Sequence, residues 1–348
     1  MKFNKLFQLL LAFILVINIS CNDDDIQLPS RGNYENGYFI ANEGNFGTPT
    51  ASVSFVSKDL NTSENDIYKK NNNNENLGDV LQTIVFNDDR AFLLLNNSNK
   101  ITVVNRYTFK KMGEITAQLN NPRYMTISNG NIYVSNDQYN GEKYVNVYKV
   151  SDLSFVKKIA FASTSTAERM VEAGGTVFVQ NASYSYGNTL TRINTTTNDI
   201  INTVSIPNGQ IEKTVSYNNN VYVIAAGSTD SYIYQISSAG AITKTTTLTG
   251  INNARNLEIE GGKYYYSSSN KIYSMDMAAT TAPTTPLINF VDGGTYFTLY
   301  GFTVKDGKIF ASDVKGFTAP SEVTIYNTSG VELKKVTTGI GSNGAYVN

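Results

Sequence analysis

The chain contains no histidine. That removes the commonest general base and the usual transition-metal ligand. It contains a single cysteine, Cys21, so no disulfide can form within the chain. Charged residues make up only 16% of it and the formal net charge is −1. No basic patch is present to neutralise phosphates, so nucleic acid is not an expected partner. A phosphate-cradling glycine loop is also lacking: Glu43-Gly44-Asn45-Phe46-Gly47 follows a strand pattern but opens no helix, and reads as a hairpin loop. No amphipathic helix stands out after the amino terminus. The residue types point away from an enzyme and call for no cofactor, although carboxylates could still hold a calcium ion.

The amino terminus has the order of a secretory signal. Lys2 and Lys5 precede an apolar run from Leu6 to Ile17, interrupted only by Gln8. The run is short for a bilayer span, and Ser20-Cys21 ends it. Residues 1–20 are therefore expected to be a lipoprotein signal peptide, with acyl chains (palmitate among them) on Cys21. Such chains anchor by about 0.8 kcal/mol per buried methylene. Lipidation would consume the only thiol, leaving no cysteine nucleophile or thiolate zinc site. Residues 21–32, with Asn22-Asp23-Asp24-Asp25 and Pro29, read as an acidic flexible tether. Residues 33–348 remain for one domain.

A repeat organises that domain. A short strand, a tight turn and a second strand ending in Asn, Ser or Asp recur. The second strands begin at Gly37, Ala91, Asn131, Thr176, Asn220, Lys263 and Lys308, spaced by 54, 40, 45, 44, 43 and 45 residues. Blade repeats of four-stranded propellers run at about 40–45 residues. The long first interval holds Asn71 to Asn74, read as a loop insertion. Turn formers precede the later second strands, as in Asn129-Gly130, Gly174-Gly175 and Asp306-Gly307. The expected fold is all-β: a single propeller of seven four-stranded blades. The first blade lacks its own first strand, and Gly344 to Asn348 is expected to supply it, closing the ring. An open β-solenoid is the competing architecture.

Two sets of residues are expected on one face. The position eight residues before each later second strand holds Thr83, Arg123, Glu168, Glu212, Arg255 and Tyr300. With the adjoining Tyr124 and Arg169, these form a candidate floor at the mouth of the central channel. The floor could bind a polar ligand, or its charges could pair and close the channel. The loops after the second strands carry Phe46, Tyr139, Tyr184, Tyr186 and Phe317, a candidate aromatic rim. Those loops could equally pack on themselves.

Gly37 to Gly47 (GYFIANEGNFG) resembles the opening motif of YncE-like propeller surface lipoproteins of Bacteroidetes type. Leu77-Gly78-Asp79, Asn96 to Ile101, Asn121-Pro122-Arg123-Tyr124 and Tyr133-Val134-Ser135 carry the same resemblance. The acidic stretch after Cys21 is similar to the surface-export signal of that group. The group includes lipoproteins that capture cobalamin for an outer-membrane TonB-dependent transporter. The resemblance therefore implies an outer-membrane, surface-exposed, ligand-binding lipoprotein, with a corrinoid as the first ligand. Siderophores and glycans are further candidates. A surface interaction or adhesion scaffold without a small ligand is the alternative class, and a metal-dependent lactonase-like propeller a more distant one.

Overall fold

The structure is a computed structural model that describes residues 30–162, 165–184, 186–291 and 298–348. The expected signal peptide, Cys21 and most of the tether lie outside the described residues. The compact domain runs from Gly32 to Asn348.

Seven four-stranded antiparallel sheets make up the domain. The innermost strands of blades 2 to 7 are Leu81–Asn87, Pro122–Ser128, Met170–Ala173, Gln210–Tyr217, Arg255–Glu260 and Thr298–Lys305. In each of these blades the chain then moves outward strand by strand. Blade 1 is different. Its second strand, Gly37–Asn42, pairs with Ser52–Ser57 on one side and with Ser342–Val347 on the other. The carboxyl-terminal strand thus becomes the innermost strand of the first blade, as the missing first strand requires, and the first blade is completed to four strands.

The second strands fall where the repeat places them, and Gly37–Asn42, Lys263–Ser268 and Lys308–Asp313 agree to the residue. Their burial is nearly continuous because both faces of each blade are covered by neighbours. The core is accordingly divided. Seven apolar clusters are present among the described residues, each at a junction between adjacent blades. The junction of blades 2 and 3, for example, holds Phe92, Leu94, Met125, Ile132 and Val134. Each fully buried side chain of this kind contributes about 1.5–3 kcal/mol.

The long first interval also holds an element that the repeat did not announce. Ile67–Asn71 forms a short helix, with Ile67 and Tyr68 fully buried, and Asn72 to Asn74 follow it as a turn of the expected loop. Five residues are too few for a helical period to show in the sequence. The asparagines have a structural task here: Asn71 Nδ2 donates to the Ile67 carbonyl at 2.7 Å, and Asn72 Nδ2 donates to that of Tyr68 at 2.7 Å. They satisfy carbonyls that a helix end leaves without partners.

Candidate functional site

The loops after the second strands and the connections between blades emerge at the same end of the propeller, called here the upper face. A cavity of about 810 Å³ opens there. It is off-centre. Among the described residues its lining comes from blades 7, 1, 2 and 3, with Tyr184 added from blade 4 and nothing from blades 5 and 6. The upper loops of those two blades are short: Ala226 to Ser231, and a tight turn between Ser268 and Lys271.

The floor begins with Glu43, directly after the second strand of blade 1. Its amide donates to the Gly341 carbonyl at 3.0 Å, and that of Gly44 donates to Ile340 at 2.9 Å. Gly44 has φ +80°, and a Cβ there would lie 2.5 Å from the Ala51 nitrogen. Glycine is needed for the loop to turn so close to its own return. The Glu43 carboxylate accepts from Tyr300 Oη at 3.0 and 3.2 Å and from Asn343 Nδ2 at 3.0 Å. Burial pushes the Glu43 carboxyl above its ordinary pKa, against the pull of these two donors and of the Arg123 and Arg169 charges.

Arg123 Nε lies 3.1 and 3.2 Å from the two carboxylate oxygens of Glu168. Burial opposes the Arg123 charge, but Glu168 more than offsets it, so the guanidinium is held firmly protonated. Burial raises the Glu168 carboxyl in spite of Arg123 beside it. The backbone at Glu168 is fixed by blade 3: Ser135 Oγ donates to its carbonyl at 2.8 Å, and Asp137 Oδ2 accepts the Ala167 amide at 2.9 Å.

Amides form one wall. Gln82, Asn96, Asn97, Asn99, Asn120, Asn121 and Gln138 all line the cavity. Several hold one another in place: Asn96 Nδ2 donates to Asn121 Oδ1 at 2.6 Å, and Asn99 Oδ1 accepts the Asn121 amide at 2.6 Å. The mouth carries rings that face solvent. Phe46 is 79% exposed, Tyr139 87% and Tyr184 86%. Phe317 is half-buried and packs edge-on against Tyr300, with ring centroids 5.1 Å apart. Tyr184 and Phe317 have φ of 50° and 61°, a left-handed backbone uncommon for aromatic residues.

Of the candidate residues, Phe46, Arg123, Tyr124, Tyr139, Tyr184, Tyr300 and Phe317 are brought together around this cavity, with Glu168 beneath Arg123. Glu212 and Arg255, on blades 5 and 6, do not line it. Tyr186 is 79% exposed at the start of its strand, outside the lining. Arg169 and Thr83 lie lower, in the central channel, where Arg169 stacks over the Tyr124 ring at 4.4 Å.

The inner strands carry bulges, one of them between Pro122 and Met125 beside Arg123. Their pairing also slips between Ile211 and Lys213 and between Arg255 and Glu258. Lys213 and Glu258 enter the channel, and pair at 2.7 Å, where counting alone nominates Glu212 and Arg255. Sequence reasoning also missed Glu43, Asn343 and the amide wall. Glu43 and the asparagines stood within the quoted motifs, and their place at the end of a second strand was the available signal.

The fold and site define a closed seven-bladed propeller with an eccentric polar cavity edged by aromatic rings. The chain belongs to the family described as "Domain of unknown function (DUF5074)", whose model matches residues 36–339. No curated protein matches it by sequence. Among solved structures it is similar to a quinonprotein alcohol dehydrogenase-like protein from Bacteroides thetaiotaomicron, with a TM-score of 0.71 and 14% identity over 91% of this chain and 79% of that one. A functionally unknown protein from Desulfotomaculum acetoxidans gives a TM-score of 0.66 and 13% identity, over 90% and 98% of the two chains. Apo AztD from Citrobacter koseri gives 0.57 and 10%, over 89% and 97%. At these identities the likeness concerns the fold alone.

Proposed function

We propose that this protein is a ligand-binding lipoprotein, held on the outer membrane through acyl chains on Cys21 and exposed at the cell surface. It captures a small molecule in the upper cavity and passes it to a TonB-dependent outer-membrane transporter. One observation carries the reading: an open cavity of about 810 Å³ combines a wall of amides with three rings that face solvent at its mouth. Such rings supply contact area at low entropic cost, and amides supply both donors and acceptors. A ligand suited to this cavity has a flat face and peripheral amide or hydroxyl groups. A corrinoid has both features and is the first candidate on the family resemblance; siderophores and glycans follow.

A surface interaction scaffold is the second reading. The Arg123–Glu168 and Lys213–Glu258 pairs across the channel favour it. Calorimetric titration of the mature chain with a corrinoid, and with siderophore and glycan panels, separates the two. Saturable one-to-one binding to any of them supports capture. No heat from any of them, with retention of a transporter on the immobilised chain, supports the scaffold.

A further inference from the structure

Below the floor the central channel forms a second compartment of about 280 Å³, and Tyr124 lines both. Four charged side chains line it: Arg169, Lys213, Lys305 and Glu258. Lys213 and Glu258 form the 2.7 Å pair, with only 12% and 13% of their side chains exposed. Among the described residues, neither Arg169 nor Lys305 has a carboxylate within the 4.0 Å of an ion pair. The fields of both reach Lys213. The lining therefore carries two positive charges in excess.

Glu43 and Glu168, above the floor, also feel Arg169. When they and Arg123 are included, four cations face three carboxylates along the axis, and positive charge remains in excess. Burial pushes two of those carboxylates toward their neutral form, and it also opposes the charge of Lys213, which Glu258 supports. Hydroxyls of Thr83, Ser216 and Thr303 add donors to the same walls. Ser216 and Lys305 are exposed at the lower end of their strands, so the compartment reaches solvent on the face opposite the upper cavity.

We infer that the channel binds one small oxyanion of the phosphate or sulfate class, entering from the lower face and held by Arg169, Lys213 and Lys305. A guanidinium offers a planar fork to two oxygens, and each ammonium offers a point charge. This site is separate from the upper cavity and does not depend on what that cavity holds.

The test is calorimetric titration of the mature chain with inorganic phosphate and with sulfate, at constant ionic strength set by chloride. One saturable site per chain is expected for the oxyanions and none for chloride alone. Arg169→Gln and Lys305→Gln each remove a cation without breaking an ion pair. Each is expected to weaken phosphate binding about tenfold, the loss of one charge-assisted hydrogen bond. Circular dichroism establishes that each variant is folded. Lys305 is exposed, so its variant carries the test should Arg169→Gln fail to fold. Absence of saturable oxyanion binding in the wild type overturns the inference, as does undiminished binding in the folded variants.

Discussion

Ser342 Oγ donates to Asn42 Oδ1 at 2.6 Å, joining residues 300 positions apart in the chain. Asn42 is fully buried and its amide nitrogen donates to Ser52 at 3.2 Å and Ser54 at 3.0 Å. Asn42→Ala leaves these hydroxyls without their partner and is expected to cost about 1–3 kcal/mol, read by urea denaturation. Deleting Gly344 to Asn348 removes most of the innermost strand of blade 1 and is expected to cost more than about 4 kcal/mol. Trimming Asn22 to Asp25 is expected to leave the melting temperature in place. Equal melting temperatures for the two truncations would contradict ring closure as a source of stability.

Arg123 and Tyr184 should separate stability from binding. Arg123→Ala leaves Glu168 buried without its cation and is expected to cost about 3–5 kcal/mol of stability. Tyr184 is exposed, so Tyr184→Ala is expected to leave stability unchanged while weakening capture of the ligand by about 1–3 kcal/mol. Parallel thermal melts and titrations check both. A Tyr184→Ala chain that binds with wild-type affinity would move the ligand away from the rim.

The pH dependence of stability has a definite sign at Glu43. Burial raises its carboxyl pKa in the folded chain, so between the unfolded and folded values the folded state binds more protons. Its contribution is full below the unfolded value and is lost as pH rises through the folded one. Unfolding free energy measured from about pH 4, the ordinary carboxylate range, up to pH 7 should therefore fall more in the wild type than in Glu43→Gln. Parallel profiles for the two proteins would refute this account of Glu43.

Anchoring is tested at Cys21. Cys21→Ala is expected to yield a folded protein in the soluble fraction after signal cleavage, and the wild type is expected to partition with membranes. A cleaved variant that resists carbonate extraction would exclude the acyl chains as the anchor.

The fold was legible because blade strands are local and periodic. Turn pairs such as Asn129-Gly130 have the positive φ that hairpins need, and seven second strands could be counted directly. The site was legible only where it followed the same register. Phe46, Tyr139 and Tyr184 sit on loops that strand boundaries define, and they reach the cavity. Glu212 and Arg255 do not: they stand on blades 5 and 6, away from the cavity, and Lys213 and Glu258 of the same strands face the channel instead. The eccentric cavity was hidden for another reason. It depends on the relative heights of loops from blades far apart in sequence, which a repeat treats as equivalent.

Glu43 and Asn343 stand at opposite ends of the chain, yet they meet in the floor. The pocket straddles the seam of the ring, so it does not exist in any partly assembled chain. A ligand of this cavity could therefore bind only after both ends of the domain have met. Once the seam has shut, an occupant touching both sides works as a clasp, and every increment of its affinity also resists reopening.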